Sequence, residues 1–491
     1  MPYILSIDQG TTSSRALVFN LQGQKQGVHQ QEFPQYFPQD GWVEHDPNDL
    51  WGTTLRCCQT VLKDLKLSGK DIAAVGLTNQ RETTLMWNKN TGQPIYNAIV
   101  WQDRRTSDYC DKITSQKIRH MIADKTGLVL DSYFSATKIV WLLENIKGAR
   151  EQAEKGELLF GTVDTFIIWK LTSGKSHVTD ITNAARTLLF NIHTQQWDEE
   201  LLALFDIPKQ VLPTVLDNAA DFGKVDKQFL GHEIPITGVA GDQQAATIGQ
   251  ACFKAGMVKS TYGTGCFVVM NTGNKVVHSN VSLLATVAYR INGNITYALE
   301  GSIFNAGTVV QWLRDKIHLI KNASDTETIC RNTPSTKNVY LVPAFTGLGA
   351  PYWDSKARGA IVGLTRDSTD AEIVRAGLES IAYQTKDLID AMVKDGAVLS
   401  TLRVDGGMVA NNWFLQFLAD MLQISIQRPR CIETTALGAA YLAGLGANLY
   451  SSLDEIHHHW QLDQEFSADM SKEQMNLLYQ GWQKAVKVVL S

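Results

Sequence analysis

Tyr3-Ile4-Leu5-Ser6-Ile7-Asp8-Gln9-Gly10-Thr11-Thr12-Ser13-Ser14-Arg15 begins as a short apolar strand and runs into a turn crowded with hydroxyls. Ile4, Leu5 and Ile7 carry the buried pattern, and Asp8 stands where the strand ends. Gly10 permits a tight turn, after which Ala16-Leu17-Val18-Phe19 returns as a second strand toward Gly23. An acid followed by a hydroxyl-rich turn can hold a metal ion and a polyphosphate together, because Mg²⁺ takes carboxylate and phosphate oxygens while turn amides bind anions. The same residues also suit an ordinary Ser/Thr turn that caps its own backbone.

The pattern recurs. Met257 to Met270 repeats the order of strand, Gly/Thr-rich turn and strand around Thr261-Tyr262-Gly263-Thr264-Gly265. Two such hairpins, one at the start and one past the middle, suggest related halves facing each other across a cleft. A third segment, Leu402 to Asn412, joins a strand, the pair Gly406-Gly407 and a helix start. Bare backbone there lets a base or ribose lie close, and a helix N-terminus favours phosphate.

Between these segments the chain alternates helices and apolar strands, as an α/β layered domain does. A helix is predicted from Asp46-Pro47 to Leu65, with Trp51, Leu55, Val61 and Leu62 inward. Ile72 to Leu77 reads as a strand covered on both faces. It ends at Arg81-Glu82, which is either a surface ion pair or a polar clamp beyond a strand's carboxyl end. Asn97 to Arg105 is another apolar run, with Trp101 near its end taken as core, and Asp164 reads as a helix N-cap rather than a catalytic acid. Asp242, after Gly238 and Gly241, fits both an N-cap and a reactive acid. His457-His458-His459 lacks metal-ligand spacing and is read as solvated.

Composition narrows the classes. A chain of 491 residues exceeds what one core normally fills, so at least two domains are expected. The net charge of −5, with no long basic run, argues against nucleic-acid binding through a basic face. Seven cysteines without a CxxC suit reduced thiols rather than a structural zinc. No signal-peptide pattern opens the chain, and the apolar stretch Thr435 to Leu445 is too short to cross a bilayer, so no membrane insertion and a cytoplasmic location are expected. A homo-oligomer, dimer or tetramer, is the expected assembly.

Asp8 to Ser13, Thr261 to Gly265 and Asp405-Gly406-Gly407 together resemble the two phosphate motifs and the adenosine motif of the carbohydrate kinase family, which has the actin-like ATPase (ribonuclease H-like) fold. That family includes kinases of glycerol, xylulose, gluconate and fuculose. Arg81-Glu82, Trp101, Tyr133, Gly241-Asp242-Gln243-Gln244 and Phe345 to Trp353 look like its glycerol-phosphorylating branch. The resemblance runs from Ile4 to about Trp482. It implies two α/β domains across a cleft, each a mixed sheet flanked by helices: 1–250 with the glycerol site and first phosphate motif, and 251–491 with the second phosphate motif and adenosine site.

The resemblance also implies roles. Asp242 would take the proton from the terminal hydroxyl of glycerol. Arg81, Glu82, Tyr133 and Asp242 would pair with its three hydroxyls, Gln243 would assist, and Trp101 and Phe267 would cover the carbon edge. Asp8 would act through Mg²⁺ and water on ATP. Thr11, Thr12, Ser13 and Arg15, with Thr264 opposite, would hold the transferring phosphoryl group, and Gly307, Gln311, Gly407 and Asn411 would line the nucleotide. The alternatives are a kinase of another small polyol or ketose such as xylulose, or a non-kinase actin-like ATPase. Two regulatory features of some family members are missing: Lys227-Gln228-Phe229-Leu230-Gly231 lacks the phosphorylatable His, and Leu230-Gly231-His232-Glu233 lacks the arginine of a fructose 1,6-bisphosphate loop.

Overall fold

The structure is a computed structural model that describes all residues except 1, 280–282, 355, 396–398, 400 and 491. The opening apolar run forms the strand Tyr3–Gln9, which pairs antiparallel with Ser13–Phe19 and parallel with Ile72–Asn79. Ile234–Gly241 adds in parallel beyond Ile72–Asn79, and Lys25–Glu32 adds antiparallel on the other side. With Lys224–Val225 at one edge this makes a six-stranded mixed sheet. Its three parallel strands are apolar almost throughout because both faces are covered.

The second sheet repeats the plan. Val258–Tyr262 pairs antiparallel with Cys266–Gly273 and parallel with Thr401–Asp405, which is followed by Ser425–Pro429. Where the first sheet places its third strand at once, the second runs out to an edge strand, Leu284–Ile291, and returns as Asn294–Ile303 beside Cys266–Gly273.

Two short-residue helices join the sheets. Asp242–Gly249 touches strands of both, while Thr434–Gly446 lies on the parallel strands of the first sheet. They cross at backbone contact: a Cβ on Gly438 would sit 1.8 Å from the Ala245 carbonyl oxygen, and one on Gly249 would sit 1.9 Å from that of Thr434. The second helix is further pinned by Ser6 Oγ and Thr237 Oγ1, which donate to the carbonyls of Ala436 and Ala443 at 2.7 and 2.8 Å. As the Thr435 to Leu445 stretch suggested, it is a buried helix. No helix among the described residues is long and apolar enough to cross a membrane.

Several local expectations change. The helix Pro47–Asp64 starts after its Asp46 cap, but it buries Leu50, Thr53, Thr54, Cys57, Cys58, Val61 and Leu62 and leaves Trp51 and Leu55 only partly covered. Residues 50, 54, 57 and 61 follow the helical repeat, and 51 and 55 fall beside that stripe. Within the apolar run that holds Trp101, only Ala98–Ile99 forms a strand. Asp164 is not an N-cap: Thr162 precedes the helix Val163–Leu171, and the buried Asp164 carboxylate accepts from Thr179 at 2.7 Å and from Asn79 at 3.2 Å. Asp242 likewise opens its helix one residue after the cap position, held by Gly241. Of the three consecutive histidines only His458 is exposed, and His459 stacks on Tyr441 with ring centres 6.4 Å apart.

Candidate active site

Just past the carboxyl end of Ile72–Asn79, Arg81 takes a φ of 65°, the left-handed region that a bulky side chain enters at a cost of about 1–3 kcal/mol. In an extended chain neighbouring side chains point apart. The reversal at Arg81 lets it and Glu82 enter one buried cage, where both are 1% exposed. The surface ion pair is thereby excluded.

The cage has two arginines and two glutamates. Arg81 Nη1 contacts Glu300 Oε2 at 2.5 Å, and Arg81 Nη2 donates to Glu300 Oε1 and to the Tyr133 hydroxyl, both at 3.1 Å. Arg186 Nε donates to Glu82 Oε1 at 2.7 Å, and Arg186 Nη2 donates to Glu300 Oε1 at 3.0 Å. Such buried pairs are tolerated only when opposite charges and hydrogen bonds offset desolvation. Burial alone would raise the Glu300 carboxyl, but Arg186 and Arg81 outweigh it and hold it at about 2. Burial pushes the Tyr133 phenol up.

Asp242 stands at the open side, its side chain 30% exposed. Its Oδ1 accepts from the Gln243 amide at 2.7 Å and lies 3.2 Å from Arg81 Nε, which leaves Oδ2 free of those contacts. Burial raises this carboxyl to about 6, against the lowering effect of Arg81 and with Glu82 adding to the rise. Such a group is poised near neutrality to accept a proton. Two aromatic rings close the carbon side: Trp101 meets Tyr133 edge-on at 5.7 Å and Phe267 at 6.2 Å, and Arg81 lies 5.5 Å from the Phe267 ring centre.

Four residues of this site carry no clear sequence signal. Glu300 sits in the apolar strand Asn294–Ile303, and Arg186 follows the short helix Ile181–Ala184. Buried Lys138 donates to the carbonyls of Ser132, Tyr133 and Phe134 at 2.6, 2.7 and 3.1 Å, which fixes the loop that carries Tyr133. Burial lowers its ammonium to about 8. Buried Lys259 reaches Gln243 Oε1 at 2.5 Å and Thr261 Oγ1 at 2.9 Å, which ties the acid-bearing helix to the second hairpin. A charged residue within a strand segment was the available hint for both Glu300 and Lys259.

The first turn adjoins this cage, since Trp101 Nε1 donates to Thr11 Oγ1 at 2.9 Å. Asp8, 4% exposed, pairs with Arg15, and Arg15 Nη1 reaches Glu433 at 2.7 Å, so Asp8 raises the guanidinium's proton affinity further. Thr12 is exposed, whereas Ser13 is covered and its hydroxyl accepts from Gln30 at 3.0 Å. The other nucleotide-lining candidates gather elsewhere. Thr264, Gly307, Gln311, Gly407 and Asn411 line one cavity of about 450 Å³, walled by apolar Val310, Leu378 and Met408. A Cβ on Gly407 would meet no atom within 4 Å, so bare backbone faces open space. Asn411 also caps the helix Asn412–Leu422, accepting from Phe414 N at 2.9 Å.

Two sheets of this plan, flanked by helices and carrying a charged cage beside a bare-backbone groove, are those of an actin-like ATPase. The chain belongs to the FGGY family of carbohydrate kinases: residues 3–249 match the family's N-terminal domain and residues 258–447 its C-terminal domain. It is 60% identical to the glycerol kinase of Marinomonas sp. (strain MWYL1), covering 99% of this chain and 98% of the relative. It is 59% identical to the glycerol kinase of Coxiella burnetii (strain RSA 331 / Henzerling II), covering 100% and 98%. A crystal structure of Plasmodium falciparum glycerol kinase with ADP superposes with a TM-score of 0.90 at 39% identity, covering 100% of this chain and 99% of that one. A xylulose kinase from Lactobacillus acidophilus shares the fold at 23% identity and a TM-score of 0.86.

Proposed function

We propose that the chain transfers the terminal phosphoryl group of ATP to a terminal hydroxyl of glycerol, giving sn-glycerol 3-phosphate and ADP. The observation that carries this reading is the Arg81–Glu82–Tyr133–Asp242 constellation beside Trp101 and Phe267. A three-carbon triol offers little apolar area and is held by paired polar contacts, which a buried fork of arginine and glutamate supplies. Glu82 accepts from hydroxyls, Arg81 donates to hydroxyl oxygens, and the aromatic pair covers the carbon edge.

Asp242 accepts the proton of the attacking hydroxyl as its oxygen bonds to the γ-phosphorus and the bond to the β-phosphate bridging oxygen breaks. Lys259 keeps Gln243 in place beside that acid. Thr11, Thr12, Ser13 and Arg15 face the transferring group from the first hairpin and Thr264 from the second. The apolar-walled groove takes the adenosine, with Gly307, Gln311 and Asn411 around it and Gly407 leaving room for a ring against backbone. Asp8 and the neighbouring threonine hydroxyls form a hard-oxygen donor set of the kind that binds Mg²⁺ together with phosphate oxygens and water. When bound, Mg²⁺ neutralises charge on the β- and γ-phosphates.

Division at residue 250 puts most polyol-binding groups in the N-terminal half and most nucleotide-lining groups in the C-terminal half, with Phe267 and Glu300 crossing over. The seven unpaired cysteines, six of them buried, fit a reducing, cytoplasmic setting. Light scattering measures whether the assembly is the expected dimer or tetramer. The deciding experiment is ADP release by the purified chain with glycerol, dihydroxyacetone, xylulose and gluconate. Glycerol should give the highest kcat/KM; a preference for xylulose would replace glycerol with a pentulose as the substrate.

A further inference from the structure

Away from the active site, Asp124, His193 and His278 bring three metal-ligating side chains together, each exposed, with ligand atoms within 4.8 Å of one another. We propose that these three residues bind a divalent transition metal of the zinc class, with water completing the shell. Two imidazoles and a carboxylate form a borderline donor set that suits Zn²⁺ and not Mg²⁺. Around a tetrahedral ion with bonds of about 2.1 Å the ligand atoms lie about 3.4 Å apart, so modest rotation of exposed side chains closes the set.

The histidines are prepared for this. His193 Nε2 lies 2.9 Å from the Asp124 backbone carbonyl, which only accepts, so Nε2 carries the proton and Nδ1 keeps the lone pair a metal needs. A ligating histidine commonly donates its other ring N–H to a carbonyl in this way. His278 stacks on His193 with ring centres 5.9 Å apart and planes at 28°.

The ground beneath is firm. Ile192 N donates to the Lys125 carbonyl at 2.9 Å, and the Tyr297 hydroxyl donates to the Ile192 carbonyl at 2.9 Å. Ala285 N donates to the Gly127 carbonyl at 2.9 Å, fastening the end of the helix Gln116–Thr126 to the edge strand of the second sheet. Ile192 and Tyr297 share an apolar cluster on which Val276, two residues before His278, also packs. The three ligands therefore come from distant segments on a junction between residues matched by the two family domains, and a bound ion links the His278 loop to the helix that carries Asp124.

The test is equilibrium dialysis of the full chain, stripped with chelator, against Zn²⁺ in buffer containing Mg²⁺. One tight equivalent per chain is expected. His193→Ala and His278→Ala should each weaken it at least tenfold, while simultaneous His457→Ala, His458→Ala and His459→Ala leave it intact. Zn²⁺ should also slow amide exchange in residues 116–126 and 274–279 of the wild type and not of His193→Ala. Equal binding by wild type and the His193→Ala/His278→Ala double variant overturns the site, as does loss of the tight equivalent on replacing His457 to His459.

Discussion

The two hairpin turns share the order of strand, Gly/Thr-rich turn and strand but are closed and fastened differently. Gly10 N donates to the Ser13 carbonyl at 3.0 Å, and Gly263 N to the Gly265 carbonyl at 2.9 Å. Side chains do much of the holding at the first turn: Trp101 grips the Thr11 hydroxyl and Gln35 Nε2 donates to the Thr11 carbonyl at 3.0 Å, beside one backbone bond from Phe33 N to the Thr12 carbonyl at 3.3 Å. Backbone holds the second, where Gly307 N donates to the Gly263 carbonyl at 2.9 Å and Ala306 N to that of Thr264 at 3.1 Å. The first turn is therefore tied to the Trp101–Phe267 aromatic wall, and the second is part of the lining of the apolar-walled groove. The third strands differ in the same sense. Lys25–Glu32 is an edge with alternating exposure, whereas Asn294–Ile303 is interior and delivers Glu300 into the buried arginine–glutamate cage.

If the two sites divide the work as proposed, changes in the cage should spare nucleotide binding and changes in the groove should spare the cage. The largest effect is expected from Asp242→Asn. Loss of a general base costs about 10²–10⁴ in rate, so kcat should fall by that much while ADP affinity, read by calorimetry, stays within a few-fold. Retained turnover would remove Asp242 as the base. The wild-type pH profile sharpens the same point. A carboxyl at about 6 accepts protons only when ionised, so kcat/KM should rise with pH through about 6 and then level.

Next in size is Arg186→Met, which strips a partner from Glu82 and Glu300 and should cost about 3–5 kcal/mol in urea unfolding. Glu300, held at about 2 against its ordinary 4.5, contributes stability that is present above pH 4.5 and lost as pH falls toward 2; removing Arg186 should shrink that acid-dependent part. Gly407→Val should do the reverse of both. Its Cβ would meet no protein atom within 4 Å, so the melting temperature should change little, while the side chain enters the groove and raises KM for ATP roughly tenfold, about 1.4 kcal/mol. An unchanged KM would move the nucleotide out of that groove.

The hairpins, the parallel strands and the buried helix Thr434–Gly446 were legible because each is a local pattern: an apolar run, a glycine-bearing turn, a small-residue helix. Asp8, Arg81-Glu82 and Asp242 were legible because each lies at or just past the carboxyl end of such a strand. Glu300, Arg186, Lys138 and Lys259 were not, since what makes them part of the site is a partner far along the chain, as with Arg81 and Glu300 or Arg186 and Glu82. A lone charge in an apolar run says that something unusual is buried there without naming its counter-charge. Trp101 was read as core, and burial bears that out, but its indole N–H bond to Thr11 has no trace in local sequence.

That bond gives the smallest effect and the most direct test of how the first turn is fastened. Trp101→Phe keeps a six-membered ring against Tyr133 and Phe267 while removing the donor to Thr11 together with the smaller indole ring, so a double-mutant cycle, and not the single variant, isolates the bond. A neutral hydrogen bond of this kind is worth about 0.5–1.5 kcal/mol. Because the turn is expected to face the phosphoryl group while the ring faces the polyol, KM for glycerol and kcat should shift together by a few-fold, with little change in ADP binding. Thr11→Val removes the other partner, and in a double-mutant cycle the pair should couple by about 1 kcal/mol, as residues in direct contact do. Thr264→Val in the backbone-fastened turn provides the contrast, since no side chain of the aromatic wall is seen to hold it and its coupling to Trp101→Phe should vanish. Additive behaviour of Trp101→Phe with Thr11→Val would mean that backbone contacts hold the first turn as they hold the second, and that the two hairpins differ in sequence but not in what they sense.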